Sequence, residues 1–349
     1  MTAKLSLRSP TDMIAAVPYL IGFHPTDSAV VLGMKGKKLS FAARHDLDVP
    51  AAAFDHLAEV VAGQGLDCAA VLGYGPAHRV DGVVKEVRDA LESRGLEVVE
   101  ALRIAEGRFW SYVCANLECC PPEGVSYDAE STQVAAHATL AGMVALPDRG
   151  AVVRQIEPVG FLAREAMRQA TERAYGRLGH LLDAAPASDL LGRRAIRKAG
   201  AAAVTEAMRR YREGGQLTDD EVAWLTALLV HLPVRDFAWE RIGDEGWHVQ
   251  LWTDVVRRAE EEVLPAPASL LAFAAWRAGQ GTLAGAAVER ALAANSAYTL
   301  ALLMQEVLTR GIAPSALADF PASTDARAGG PAVRARRRPK RRRFRNSSS

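Results

Sequence analysis

The densest group of reactive side chains is Cys114-x4-Cys119-Cys120. Thiolates bind zinc well, and a structural zinc site usually takes four Cys or His ligands, which His137 and Cys68 could complete. No second Cys-x2-Cys half accompanies the three. A turn at Asn116 would instead bring Cys114 and Cys119 together as a redox pair. Free thiols at a domain edge explain the same spacing, so metal, redox and structural readings stay open. Pro121-Pro122 holds the preceding backbone extended, which can present one sulfur outward. Trp110 stands between Arg108 and this cluster.

A second set of polar groups flanks one expected hairpin: His24-Pro-Thr-Asp27-Ser28 and Arg44-His-Asp46. A histidine within reach of a carboxylate can form an acid/base pair or part of a metal site. His24, Asp27, Arg44 and Asp46 are therefore the candidate catalytic residues, although Pro25, Asp27 and Ser28 also suit a turn whose side chains cap local backbone. Gly73-Tyr74-Gly75-Pro76 ends an expected strand and precedes a helix, where open α/β sheets bind ligands. These residues are a candidate ligand or phosphate loop, but they lack the full Gly-x-Gly-x-x-Gly spacing and Pro76 removes an amide donor. No Walker motif, Gly-x-Ser-x-Gly elbow or His-Glu-x-x-His pair occurs. An enzyme with a small-molecule or phosphate site in the α/β part, or a helical protein-interaction module, is the alternative reading, and zinc the one cofactor to consider.

The strongest electrostatic feature lies near the C-terminus. Arg334, Arg336, Arg337, Arg338, Lys340, Arg341, Arg342, Arg343 and Arg345 fall within twelve residues. They are nine of the 42 Lys and Arg, leaving 33 to set against 41 Asp and Glu, a balance of −8. Such a block is expected to be a solvated arm that seeks polyanions. Nucleic acid is the expected partner, bound through phosphates without base readout. An anionic membrane surface is a rival, as is the chain's own acidic body. Arg193, Arg194, Arg197 and Lys198, with Arg209, Arg210 and Arg212 beyond, mark a basic helix that could follow a phosphate backbone or simply face solvent. The expected function is thus a non-catalytic binding or regulatory protein.

The elements that position these groups follow from periodicity. With 349 residues, 49% of them hydrophobic, the chain has room for two domains. No long apolar run precedes Ser9-Pro10 and none reaches about 18 residues, so a cytosolic protein is expected. Ser9-Pro-Thr-Asp12 opens a helix through Ile21. Residues 28–33 and 39–44 predict a hairpin around a Lys-Gly-Lys-Lys turn. The apolar run 67–73 predicts a central strand, followed by a helix ending at Gly95 and a parallel strand over 96–104. Residues 109–113 add a further strand, giving an α/β domain over 1–155 with a mixed sheet. From Gly160 the period becomes helical, which predicts an all-helical domain over 160–316, prolines between its helices, and a disordered Arg-rich tail over 317–349. Trp276 to Leu292 resembles a single tetratricopeptide hairpin, with Gly279 and Gly281 as its turn and Ala284 and Ala287 as close contacts.

Several segments together resemble a known family. They are Leu7-Arg-Ser-Pro10, Val17 to Ser28, Ala43 to Leu47, Gly107 to Tyr112, Cys119-Cys-Pro-Pro-Glu-Gly124 and Ala275 to Pro314. They look like the actinobacterial domain-of-unknown-function family 4192, in the same order over residues 5–316. The Ala- and Arg-rich composition agrees with a GC-rich bacterial source. The resemblance implies a cytosolic actinobacterial protein and brings no reaction with it. Asn295-Ser296 departs from the family pattern, and the basic tail lies outside the resemblance.

Overall fold

Ser9 and Pro10 start the first helix as their types require. Ser9 is extended, its Oγ accepts the Asp12 amide at 3.1 Å, and Pro10 occupies the first turn. The computed structural model describes residues 7, 9–36 and 38–319. In it this helix, α1 (Pro10–Ile21), runs through Pro18 and stops at left-handed Gly22. The hairpin follows as β1 (Ser28–Lys35) and β2 (Lys38–Asp46). Next come α2 (Ala51–Ala62), β3 (Cys68–Tyr74), α3 (Ala77–Ser93), β4 (Glu97–Ala105), β5 (Arg108–Ser111) and β6 (Val125–Ser126). The sheet order is β2-β1-β3-β4-β5-β6, with β3 and β4 parallel across α3 and every other neighbouring pair antiparallel.

β1 and β3 lie inside the sheet and are covered on both faces. Ala29, Val31 and Val71 pack with Phe54 and Leu57 of α2 and Val80, Val84 and Val87 of α3. Val30, Leu32 and Leu72 pack on the opposite face with Ile14 and Val17 of α1. Each Val, Leu, Ile or Phe among them contributes about 1.5–3 kcal/mol on removal from water, before entropy is counted. Gly73 permits this packing, because a Cβ there would lie 2.3 Å from Val80 Cγ1 and 2.6 Å from Val84 Cγ2.

Two short helices, α4 (Gln133–Leu140) and α5 (Arg149–Arg154), were not expected from the sequence. Beyond them the described residues contain helices and no strands: α6 (Phe161–Asp183), α7 (Arg193–Arg212), α8 (Asp219–Leu229), α9 (Leu232–Trp239), α10 (Gly246–Arg258), α11 (Pro265–Arg277), α12 (Gly281–Ala294) and α13 (Thr299–Thr309). Thr218 and Glu221 form the capping box of α8. Pro233, Pro265 and Pro267 lie in the first turns of α9 and α11 rather than between helices, because an N-terminal turn has no use for their missing amide. α11 packs on α12 around Gly279 at φ +75°, with Ala284 and Ala287 fully buried, while Gly281 begins α12 instead of turning the chain.

Up to Ile312 the described residues form one compact unit. Thr282 Oγ1 donates to the Ile21 carbonyl at 2.7 Å and Arg149 pairs with Glu289 at 2.8 Å, which ties α1 and α5 to α12. The boundary expected near 155–160 falls between α5 and α6 within that unit. From Ala313 a separate unit begins, of which a 3-10 turn at Pro314–Asp319 is described. Residues 317–319 of the expected disordered tail belong to that turn, and the rest of it, with the basic segment 334–345, lies outside the described residues. No described helix is long and apolar enough to cross a membrane.

Candidate functional site

The β4–β5 connection is a two-residue turn, Glu106 at φ +51° and Gly107 at φ +71°. Two positive φ angles in sequence match the twist of antiparallel strands and fix their register. Arg103 therefore faces Trp110 directly. Its guanidinium lies on the indole face with Cζ 3.6 Å from the ring centroid. Trp110 Nε1 donates to the Pro122 carbonyl at 2.9 Å, and Gly124 at φ +80° sits against the same ring. Asp81 of α3 accepts the Tyr112 hydroxyl and stands 3.9 Å from Arg103 Nε. Burial, reinforced by Asp81, raises the Tyr112 phenol above its ordinary value and keeps it protonated. These side chains, with Ser111, Cys120, Pro121 and Pro122, line an open cleft of about 300 Å³.

The loop between β5 and β6 carries the cysteines beside that cleft. Asn116 folds it: Oδ1 accepts the Glu118 amide at 2.9 Å, and the carbonyl accepts the amides of Cys119 at 3.1 Å and Cys120 at 2.8 Å. The Cys114 amide donates to Ser111 Oγ at 3.1 Å, and Ser111 Oγ donates to Glu100 Oε1 at 2.7 Å. The three sulfurs consequently lie within 4.8 Å of one another. The Asn116 amide, then the Cys120 and Cys119 thiols, draw the Cys114 thiol below its ordinary value. Burial, then the neighbouring Cys114 and Cys119, push Cys120 up to about 12. Cys114 is the first of that pair to ionise. Cys119 is exposed and the other two are half-buried. The arrangement suits a thiolate nucleophile, sulfur oxidation or a soft cation. Cys68 on β3 and His137 on α4 do not join the cluster among the described residues.

The remaining candidates are distributed differently. Arg79 Nη1 meets Asp27 at 2.5 Å and its Nη2 meets Asp48 at 2.7 Å. Arg44 meets Asp46 at 2.5 Å and lies 5.7 Å above the Phe23 ring. The His24 side chain is exposed and hydrogen-bonds to none of these groups among the described residues; its amide donates to the Leu146 carbonyl at 2.9 Å. At the candidate phosphate loop the Gly75 amide donates to the Ile104 carbonyl at 3.0 Å, and Tyr74 is buried with its hydroxyl unpartnered. On α7 the side chains of Arg193, Arg194, Arg197 and Lys198 are exposed. Arg209 and Arg210 are instead drawn into pairs with Glu206, Glu213 and Glu221.

Arg103, Tyr112 and Asp81 were missed from the sequence, although Trp110 was noticed. The available signal was the Glu106-Gly107 dipeptide, a hairpin turn that pairs 103 with 110 by counting outward. No curated protein and no solved structure matches the chain. Residues 10–315, which include the sheet, the thiol loop and the helices as far as α13, match the family described as Domain of unknown function (DUF4192), and the chain belongs to that family.

Proposed function

We propose that the chain is a non-catalytic binding protein that contacts nucleic acid through residues 334–345. The supporting observation is the segregation of charge: nine cations within twelve residues, against a remainder at −8. At physiological salt the Debye length is about 8 Å, so these charges act as one local field. If all nine met phosphates, log affinity for duplex DNA would fall with log salt at a slope of about −8. The test is fluorescence anisotropy of a labelled duplex across salt, with the full chain and a full-length variant in which the eight arginines and Lys340 become Gln. Loss of binding in that variant is expected. Undiminished binding would overturn the assignment, as would capture by anionic vesicles with none by DNA.

The cleft favours a second contact, with a small ligand carrying an anionic group. Arg103 is held on Trp110, and its acidic partner Asp81 stands at 3.9 Å, whereas Arg79 is neutralised by pairs at 2.5 and 2.7 Å. Inorganic phosphate should perturb tryptophan emission in the native chain and leave Arg103→Gln unaffected. An equal response in both proteins would remove this reading.

A further inference from the structure

We propose that Cys114, Cys119 and Cys120 form a zinc-binding site on the edge of the Arg103–Trp110 cleft. This goes beyond the nucleic-acid reading and stands without it. The first support is distance. A tetrahedral zinc with Zn–S bonds of about 2.3 Å needs sulfurs about 3.8 Å apart. The three sulfurs already lie within 4.8 Å, so small side-chain rotations close the site and the backbone need not move. The second is preorganisation. Three unconnected groups hold the loop whether or not a cation is present: the Asn116 turn, the Ser111–Glu100 anchor of Cys114, and the Trp110 bond to Pro122 beyond Cys120. Ordering these side chains is therefore already done when a cation arrives.

The third support is the chemistry of the donors. Three cysteine sulfurs converge here, and thiolates are among the strongest zinc donors a protein offers. A divalent cation at their centre takes the place of the thiol protons and removes the mutual repulsion that opposes ionising all three. Soft thiolates select zinc over magnesium or calcium. Three protein ligands leave the fourth tetrahedral position to water or a small anion, as in sites that exchange ligands rather than purely structural ones. Cys120 places one ligand on the cleft wall beside Arg103, whose charge offsets the excess anion of a tris-thiolate zinc.

The experiment uses the full chain, reduced, stripped with a chelator and then given zinc alone or cobalt alone. We expect one zinc per chain, and with cobalt an intense sulfur-to-metal charge-transfer band. Cys114→Ser and Cys120→Ser should each weaken zinc binding at least about tenfold, since losing even a group that only supports a ligand costs about that much. Cys68→Ser, the remaining cysteine, should bind as the native chain does. Zinc below about 0.1 per chain in the native protein would overturn the site. So would full stoichiometry in Cys114→Ser, and so would a Cys114–Cys119 disulfide that re-forms in the presence of zinc. Nucleic acid is absent throughout, so the outcome does not depend on what the basic segment binds.

Discussion

Gly124 and Gly95 offer a matched pair for testing whether the indole of Trp110 is fixed. Both have φ +80°, but a Cβ at Gly95 meets nothing within 4 Å, whereas one at Gly124 would lie 2.5, 2.7 and 2.9 Å from Trp110 Cε2, Cζ2 and Nε1. Alanine at a left-handed position costs about 1 kcal/mol, so Gly95→Ala measures the backbone alone. Gly124→Ala adds overpacking of about 1–3 kcal/mol unless the ring moves. Movement would forfeit the 2.9 Å bond to Pro122, about 1 kcal/mol, and the Arg103 stack, about 0.5–1 kcal/mol. Either route brings the total near 3 kcal/mol, about 2 kcal/mol beyond Gly95→Ala. Urea midpoints at unchanged slope would show the difference. Thiol labelling should report it locally, with Cys120 reacting faster only in Gly124→Ala. Midpoints agreeing within about 0.5 kcal/mol, with equal labelling rates, would refute the rigid Trp110–Gly124 contact.

Burial holds the His248 imidazole down at about 4, with Glu245 only partly opposing it. Because its proton is bound more weakly in the folded chain, stability is full above the ordinary value of 6.5 and falls as pH drops toward 4. The loss has a ceiling of about 3 kcal/mol, and about 2 kcal/mol is expected between pH 7 and 4.5; His248→Gln should flatten that slope, and an unchanged profile would dismiss it. Arg258 is 12% exposed and donates to Asp219 Oδ1 and the Leu217 carbonyl, each at 3.0 Å, while pairing with Asp254, which also accepts the Tyr211 hydroxyl. Arg258→Met leaves those acceptors short of a donor and should cost about 3 kcal/mol in urea unfolding; a loss under about 1 kcal/mol would mean water replaces the guanidinium.

The sheet was legible wherever side-chain period and turn chemistry agreed. The Lys35–Lys38 hairpin and the buried run of β3 stand close to their expected bounds, because an interior strand must be apolar on both faces. α4 and α5 were missed because neither carries a full turn-by-turn apolar stripe; Val134, Ala135 and Ala138 bury only a small patch of α4. For the cysteines, the spacing pointed to the β5–β6 loop, where local forces suffice to gather the sulfurs. What could not be read was the partner of each charge. Asp27 meets an arginine 52 residues away and Tyr112 meets an aspartate 31 residues away, contacts that depend on how α3 lies over the sheet rather than on either local segment.

The thiol loop has one more consequence, for the order in which the molecule assembles. Trp110, Ser111, Cys114, Asn116, Cys119, Cys120, Pro122 and Gly124 all lie within fifteen consecutive residues, so their mutual contacts close short loops at small entropic cost. The β1–β3 pairing, by contrast, joins Ser28 to Tyr74 and must wait for the chain between them. The sulfurs can therefore meet once the β4–β5 turn has formed, before the helical half has docked. A nascent chain would then present its most reactive chemistry before most of its core is closed.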